Sequence, residues 1–411
     1  MTSTELRTLR PEDWDAWYGN LELAFGGVPE APERSALWRD LTEFDRSIAA
    51  WDDGQIVGTA GSYSFRLSVP GGAIVPAAGV TMVSVAATHR RRGILRAMMR
   101  RQLDDLRAAG EPLAVLTASE PAIYGRFGYG VATHHLYAEI DTARVRLAEV
   151  PPGTDEVRLR HADPEAVLKD CEALYARRVP ARPGMLERRP GWERTQVMDP
   201  ESRRDGASPL RCVLAESGGE LRGYARYAVK PEWDLSGPRG TVVLRDLEAL
   251  DPAAYAALWR FLSDIDLTST LKVSGRPVDD PWLHLVSDIR RCEVRVLDSL
   301  HLRPVDVGAA LAARTYAVPV DVVLEVEDAF CPWNSGRWRL TGDAGGASCA
   351  RTDDAADLAL GVRELGAAYL GGVSLAALAG AGRVRELRAG ALAGASAAFS
   401  SAVAPWLPHG F

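Results

Sequence analysis

Apolar positions in the first part of the chain change period several times, and each change marks an element. Leu6-Arg7-Thr8-Leu9-Arg10 reads as a strand. Pro11, followed by Glu12 and Asp13, then suits a first helical turn, where the missing N–H costs nothing and acids meet the positive end of the dipole. A second helix is predicted over Glu33–Leu41. Ser47–Trp51 and Ile56–Ala60 flank Asp52-Asp53-Gly54-Gln55, and Asp-Gly favours the primed turns of a hairpin. Phe65–Val69 runs into Pro70-Gly71-Gly72, a second hairpin turn, and Val80–Val85 reads as the next strand. Leu95, Met99, Leu103 and Leu106 then recur at helical spacing, with Arg96, Arg100 and Asp104 off the stripe. Gly110 fits the position just past that helix, and Leu113–Thr117 is a buried strand.

From about His135 the pattern starts again. Tyr137–Ile140 and Val157–Arg160 are predicted strands, and Asp163-Pro164-Glu165 opens a helix to about Arg177. Arg211–Ala215, a turn at Ser217–Glu220 and Leu221–Tyr227 repeat the hairpin of residues 47–60. Val242–Leu250, Asp251-Pro252 and a helix over Ala253–Ile265 repeat the strand-to-helix step of Val83–Leu106. Asp251-Pro252 is an ordinary cap without glycine or arginines, so this second segment reads as a degenerate, non-binding copy of the first. From about Val296 come short strands (Val320–Val326, Gly336–Leu340) and Ala/Leu-rich helices at Leu358–Leu365 and Ser374–Ala379. The fold class is α/β with mixed sheets. The end, Ala404-Pro405-Trp406-Leu407-Pro408-His409-Gly410-Phe411, is too rich in proline and bulky apolar groups for a frayed terminus, and packing is expected.

At 411 residues the chain exceeds one ordinary core, so two or three domains are expected. A net charge of −7 argues against nucleic acid as the main partner and suits a cationic substrate, although many mildly acidic proteins have none. Cys171, Cys212, Cys292, Cys331 and Cys349 form no CxxC and no Cys/His ligand spacing, so neither a metal nor a redox motif is supported, and reduced thiols are expected. Met1–Arg7 is polar, without the apolar core of a signal peptide, and no apolar run is long enough to span a bilayer. A cytoplasmic location is the resulting expectation.

The candidate chemistry lies in Val83–Gly130. An apolar strand, Val83-Ser84-Val85, leads to His89-Arg90-Arg91-Arg92-Gly93-Ile94-Leu95 and the start of a helix. A helix start leaves N–H groups unpaired, glycine lets backbone approach a phosphate, and arginine adds charged, forked donors. That order makes an anion cradle for a diphosphate-bearing cofactor.

Arg90-Arg91-Arg92-Gly93-Ile94-Leu95 resembles the acetyl-CoA loop of the Gcn5-related N-acetyltransferase (GNAT) superfamily, Arg/Gln-x-x-Gly-x-Gly/Ala, with Leu95 departing in the last place. Together with Ser119-Glu120 and Tyr124-Gly125-Arg126-Phe127-Gly128-Tyr129-Gly130, the chain resembles the enhanced intracellular survival (Eis) family. The resemblance implies tandem GNAT-type domains followed by a sterol-carrier-like α+β domain, over residues 1–135, 136–295 and 296–411. It implies an acetyl-CoA-dependent enzyme that acetylates primary amines of aminoglycoside-like cations or of lysine, assembled as a homohexamer. Val83, Ser84 and Val85 would hold the pantetheine arm, Arg91, Arg92, Gly93, Ile94, Leu95 and Arg96 the diphosphate, and Ser119 and Glu120 would complete the cofactor site. Tyr124 matches the family's general acid and the carboxylate of Phe411 its general base. Trp38 and Met82 match substrate-pocket positions.

The chemistry asks for such groups. An amine attacks a thioester only without its extra proton, and aliphatic amines hold it to a pKa of about 10.4. A free α-carboxylate is a weak base unless apolar burial, here by Trp406, Leu407 and Phe411, raises its pKa. A phenol can protonate the departing thiolate. Plainer readings stand beside these: Arg90–Arg92 as a solvated basic face, Tyr124 as a packing tyrosine like Tyr129, Phe411 as an apolar plug, His409 as the base, and Trp38 and Met82 as core. A competing class is a non-catalytic carrier of an apolar ligand with a vestigial acetyl-CoA site.

Overall fold

The structure, a computed structural model, describes residues 4–235 and 237–411. Met1–Ser3, where the polar start begins, and Ser236 lie outside the described residues. Among the described residues the strands form three large sheets and one two-stranded ribbon.

The first sheet takes its strands in the order Glu5–Thr8, Ile48–Asp52, Gln55–Ser68, Ile74–Val85, Leu113–Thr117, Leu300–Pro304 and Gly130–Val131. Asp53 and Gly54 both adopt positive φ, at 48° and 74°, as the primed turn of the first hairpin demands. Ile56–Ala60 and Phe65–Val69 are not separate strands: both fall in Gln55–Ser68, which stops one residue short of Val69, and Val80–Val85 is the second half of Ile74–Val85. Both long strands are buried on both faces through their middles, so no polar alternation marks their continuity. The helix after Gly93 spans Ile94–Ala108. Met99, Leu103 and Leu106 are buried as the stripe requires, while Leu95 is only half-buried and Ile94 and Met98 extend the seam.

The second sheet runs Arg295–Asp298, His134–Asp141, Thr268–Pro277, Gly240–Ala249, Glu220–Lys230, Arg211–Ser217 and Arg158–Ala162. It repeats the parallel strand–helix–strand step of the first, with the helix Pro252–Ser263 capped by Asp251 through its bond from the Ala254 N–H. The helix predicted from Asp163 begins later, at Leu168. Asp163 instead caps a turn, accepting from the N–H groups of Glu165 and Ala166. The two sheets exchange strands. His134–Asp141 leaves the first half to pair with Thr268–Pro277, and Leu300–Pro304 crosses back to pair with Leu113–Thr117.

The third sheet runs Gly346–Arg351, Gly336–Asp343, Val320–Glu327, Leu358–Gly361 and Val384–Glu386. Leu358–Leu365 is therefore not one helix: Leu358–Gly361 is a strand and only Val362–Ala368 is helical. Side chains of this part, among them Leu324, Tyr369, Phe399 and Leu407, share one core with Phe65, Leu67, Leu113, Val115 and Leu302 of the first sheet. The opposite face of that sheet, with Ala78, Val80, Ala114 and Leu116, is covered by Met99, Leu103 and Leu106. No helix among the described residues is long and apolar enough to cross a membrane. Among them, no group of three or more His, Cys, Asp or Glu is placed to hold a metal. All five cysteines are free.

Candidate active site

The first sheet splits at its centre. Ile74–Val85 runs parallel to Leu113–Thr117, but only Ala77, Ala78 and Gly79 pair across, with Leu113, Ala114 and Val115. Leu116 and Thr117 pair on their other side with His301 and Leu300, and Ser84 and Val85 pair on theirs with Thr59 and Gly58. The stretch after Gly79, with Val83, Ser84 and Val85, therefore offers a backbone edge that no strand fills, a seat for an extended amide chain. A register shift between Thr59 and Gly61 marks the bend, and there Met82 takes a φ of 51°. The Thr59 hydroxyl holds that bend by donating to the Met82 carbonyl at 2.6 Å and meeting Ser84 Oγ at 2.7 Å.

The strand leads through Ala87–His89 to the arginines and to Gly93, which caps the helix at a φ of 85°. Nothing lies within 4 Å of the point where a Cβ on Gly93 would stand. The first helical bond runs from the Ala97 N–H to the Gly93 carbonyl, so the N–H groups of Ile94, Leu95 and Arg96 have no acceptor within the helix. These residues fit a diphosphate. Arg91 is exposed, with a φ of 62°. Arg92 is engaged elsewhere: its guanidinium meets Asp52 at 2.9 Å, beside His89 on the same oxygen at 3.1 Å. Arg96 lies 5.1 Å from the Phe330 ring, which Arg100 approaches at 4.3 Å. Ser119 and Glu120 are exposed where Leu113–Thr117 ends, and Glu120 precedes the short helix Pro121–Tyr124.

Tyr124 closes that helix and meets the Tyr129 ring edge-on at 6.1 Å. Burial first, and the Glu120 carboxylate second, raise its phenol above the ordinary value, which keeps it protonated at neutral pH. The two tyrosines are not equivalent. Tyr129 is fully buried and its hydroxyl finds no partner, whereas Tyr124 is half-buried.

The tail crosses the opposite face of the sheet. Trp406 and Leu407 are buried and Phe411 is half-buried, so the end is packed but its last residue is not enclosed. The Phe411 ring lies 5.0 Å from that of Phe65, and a Cβ on Gly79 would stand 3.1 Å from its Cε2. Gly79 is the last residue to pair before the strands part. His409 Nδ1 lies 3.2 Å from the Gly410 carbonyl, and its Nε2 is enclosed without a hydrogen-bond partner. Burial, reinforced by Arg188, pushes its pKa down to about 3.

Trp38 and Met82, both half-buried, pack against the same core as Phe411. Trp38 meets Trp192 at 6.1 Å. Trp192 in turn stands edge-on to Tyr63 at 4.8 Å and to Phe65 at 4.7 Å. No periodicity or motif between Arg177 and Arg211 announces this aromatic wall beneath the terminus. Tyr63 and Phe65 share one strand face, and Trp192 follows a turn in which Gly191 has a φ of 95°. A cavity of about 720 Å³ borders Tyr175 and Arg188, at the base of the tail and not at the strand fork.

Comparison with known proteins decides the family. An acetyltransferase (GNAT) domain matches residues 5–132, a second acetyltransferase (GNAT) domain matches 184–304, and a sterol carrier protein domain matches 307–408. The N-acetyltransferase Eis of Mycobacterium tuberculosis is 35% identical, over 95% of this chain and 96% of its own. The chain belongs to the Eis family of N-acetyltransferases. An N-acetyltransferase of Streptomyces avermitilis is 72% identical over the full length of both chains. The crystal structure of Eis1 from Mycobacterium abscessus, 36% identical, superposes over all of both chains with a TM-score of 0.84. This Eis-family chain is thus an acetyltransferase built of two GNAT units and a sterol-carrier-like unit, and the strand exchange ties the first two together.

Proposed function

We propose that the protein transfers the acetyl group of acetyl-CoA to a primary amine of an aminoglycoside-like cation or of a lysine side chain. Acetyl-CoA supplies an activated acyl group and a thiolate leaving group. The amine nitrogen bonds to the acyl carbon as the C–S bond breaks. In this reading the terminal carboxylate of Phe411 accepts the proton the nitrogen sheds, and Tyr124 gives its phenolic proton to the sulfur. Val83–Val85 hold the pantetheine arm by backbone, and Arg91 and Arg96 with the free N–H groups after Gly93 hold the diphosphate. Ser119 and Glu120 complete the cofactor site, and Trp38 and Met82 line the amine's side. The observation that carries the reading is the place of Phe411, whose ring packs at Gly79 where the two central strands diverge. His409 suits the base role less, because its Nε2 is enclosed.

The alternative, a carrier of apolar ligands, meets an obstacle inside the sterol-carrier-like part. Arg314 is 1% exposed, donates to the carbonyls of Thr315 (3.0 Å), Phe399 (3.1 Å) and Tyr369, and lies over the Tyr316 and Phe399 rings. An apolar guest there would displace a buried, hydrogen-bonded cation, which is costly. The same reading keeps the three segments 1–135, 136–295 and 296–411, with Leu300–Pro304 returned to the first sheet, a cytoplasmic location and a homohexamer. Thiol release from acetyl-CoA with aminoglycosides, polyamines and lysine peptides tests it. Turnover with at least one amine is expected, and absence of both acetyl-CoA binding and turnover overturns it.

A further inference from the structure

Residues 400–411 contain no helix or strand, so the terminus owes its place to contacts made by other parts of the chain. Those contacts are concentrated at Ala404 and Trp406. The Ala404 N–H donates to Asp279 Oδ2 at 2.8 Å and its carbonyl accepts from Arg182 Nη1 at 2.6 Å. Arg182 and Asp279 are themselves bonded at 2.6 Å, so one ion pair brackets both polar groups of a single peptide residue. The Arg182 side chain is 11% exposed, a setting in which water weakens its hydrogen bonds little. Two residues on, the Trp406 N–H donates to the Pro183 carbonyl at 2.8 Å and its indole N–H to the Gly275 carbonyl at 2.5 Å. The Arg276 guanidinium lies 5.0 Å from the Trp406 ring and is fixed by Asp280 at 2.7 Å. Gly184, at a φ of 92°, leaves only 2.9 Å between its missing Cβ and the Trp406 backbone.

Every one of these partners lies in the segment 136–295 proposed above as the second GNAT-like unit, Arg182 and Pro183 just before its matched stretch 184–304. The clamp is also tied to the reacting end. The Ser68 N–H donates to the Met185 carbonyl at 2.9 Å, and the Gly184 N–H to the Ser68 carbonyl at 2.8 Å. The clamping loop is thereby joined to the strand that carries Phe65 against Phe411. The span from Trp406 to Phe411 could reach roughly 17 Å if extended, so a loose Trp406 would let the terminus wander far from the fork.

We infer that the second unit is the mount for the terminal carboxylate, with Arg182 and Asp279 as positioning residues whose bracket on Ala404 sets where Phe411 ends. The inference rests on the proposed role of that carboxylate as base. Two readouts separate the two claims. The first is the rate at which carboxypeptidase releases Phe411 from folded protein, compared between the native chain and Arg182→Ala, Arg182→Lys and Asp279→Asn. The second is kcat, with acetyl-CoA affinity and the melting temperature as checks of the fold, measured with and without Phe411 in each background.

Arg182→Ala is expected to release Phe411 faster and to lower kcat by about 10- to 100-fold at unchanged acetyl-CoA affinity. Arg182→Lys, which keeps a charged donor, is expected to recover part of the loss. Deleting Phe411 is expected to cost far less in Arg182→Ala than in the native chain, because the carboxylate is already misplaced. Unchanged release of Phe411 in Arg182→Ala and Asp279→Asn overturns the clamp. Faster release with native kcat, or losses that simply add, overturns the positioning role when deletion of Phe411 disables the native enzyme. If that deletion leaves the native enzyme active, the role of the carboxylate as base falls, and the positioning role with it.

Discussion

The ring of Phe411 meets that of Phe65 at 5.0 Å and 63°, beside Gly79. That contact joins the last residue of the chain to the centre of the first sheet at the point where pairing between Ile74–Val85 and Leu113–Thr117 stops. Tyr124 belongs to the cluster on the helix-covered face and Phe411 to the cluster on the other. The two residues proposed to handle protons thus pack against opposite faces of one sheet.

Tyr124→Phe removes the proposed proton donor and little else, since the ring keeps its edge contact with Tyr129. A fall in kcat of about 100-fold is expected, with acetyl-CoA affinity unchanged. Steady-state kinetics with equilibrium binding check this, and a rate near that of the native enzyme assigns the proton to another group.

Gly93→Val places a β-branched residue at a φ of 85°, a strain of about 1–2 kcal/mol, and puts its side chain into the open space over the helix start. Acetyl-CoA affinity should fall by about tenfold or more, since each 1.4 kcal/mol is tenfold. Titration calorimetry reads the affinity and circular dichroism confirms the fold. Native affinity in a folded variant would place the diphosphate elsewhere.

His409 gives the stability a pH dependence of defined sign. Its pKa is about 3 in the fold against an ordinary 6.5, lowered by burial and then by Arg188, with the Gly410 carbonyl and Asp246 opposing. Between those values the unfolded chain takes up a proton that the folded chain does not, so stability falls as pH drops through about 6.5 towards 3. The melting temperature of His409→Gln should fall less steeply over that range than that of the native protein. Equal slopes would show that His409 is protonated in the fold.

The strand-to-helix step at Gly93 was legible because it is local: strand, arginines, glycine and helix lie within a few residues, and each acts on its neighbours. The primed turn at Asp53-Gly54 and the cap at Asp251 were legible for the same reason. The merger of Ile56–Ala60 with Phe65–Val69 was not, because burial on both faces erases the alternation that marks a strand. The exchange of His134–Asp141 and Leu300–Pro304 was not, because it is set by partners more than a hundred residues away. The tail shows how such information divides. Its apolar content announced that it would pack, but the bracket by Arg182 and Asp279 and the wall of Tyr63, Phe65 and Trp192 arise only when three parts of the chain meet. Arg92 illustrates the reverse limit, since the motif marks it for a phosphate and the hairpin's Asp52 holds it.

The most direct measurement is turnover of a chain carrying one glycine after Phe411, beside the native chain, with acetyl-CoA binding measured on both. The addition converts the Phe411 carboxylate into an amide and moves the charge away, leaving the cradle untouched. The proposed mechanism requires kcat to fall by about 100-fold or more while acetyl-CoA affinity stays native. Native turnover by the extended chain would contradict it.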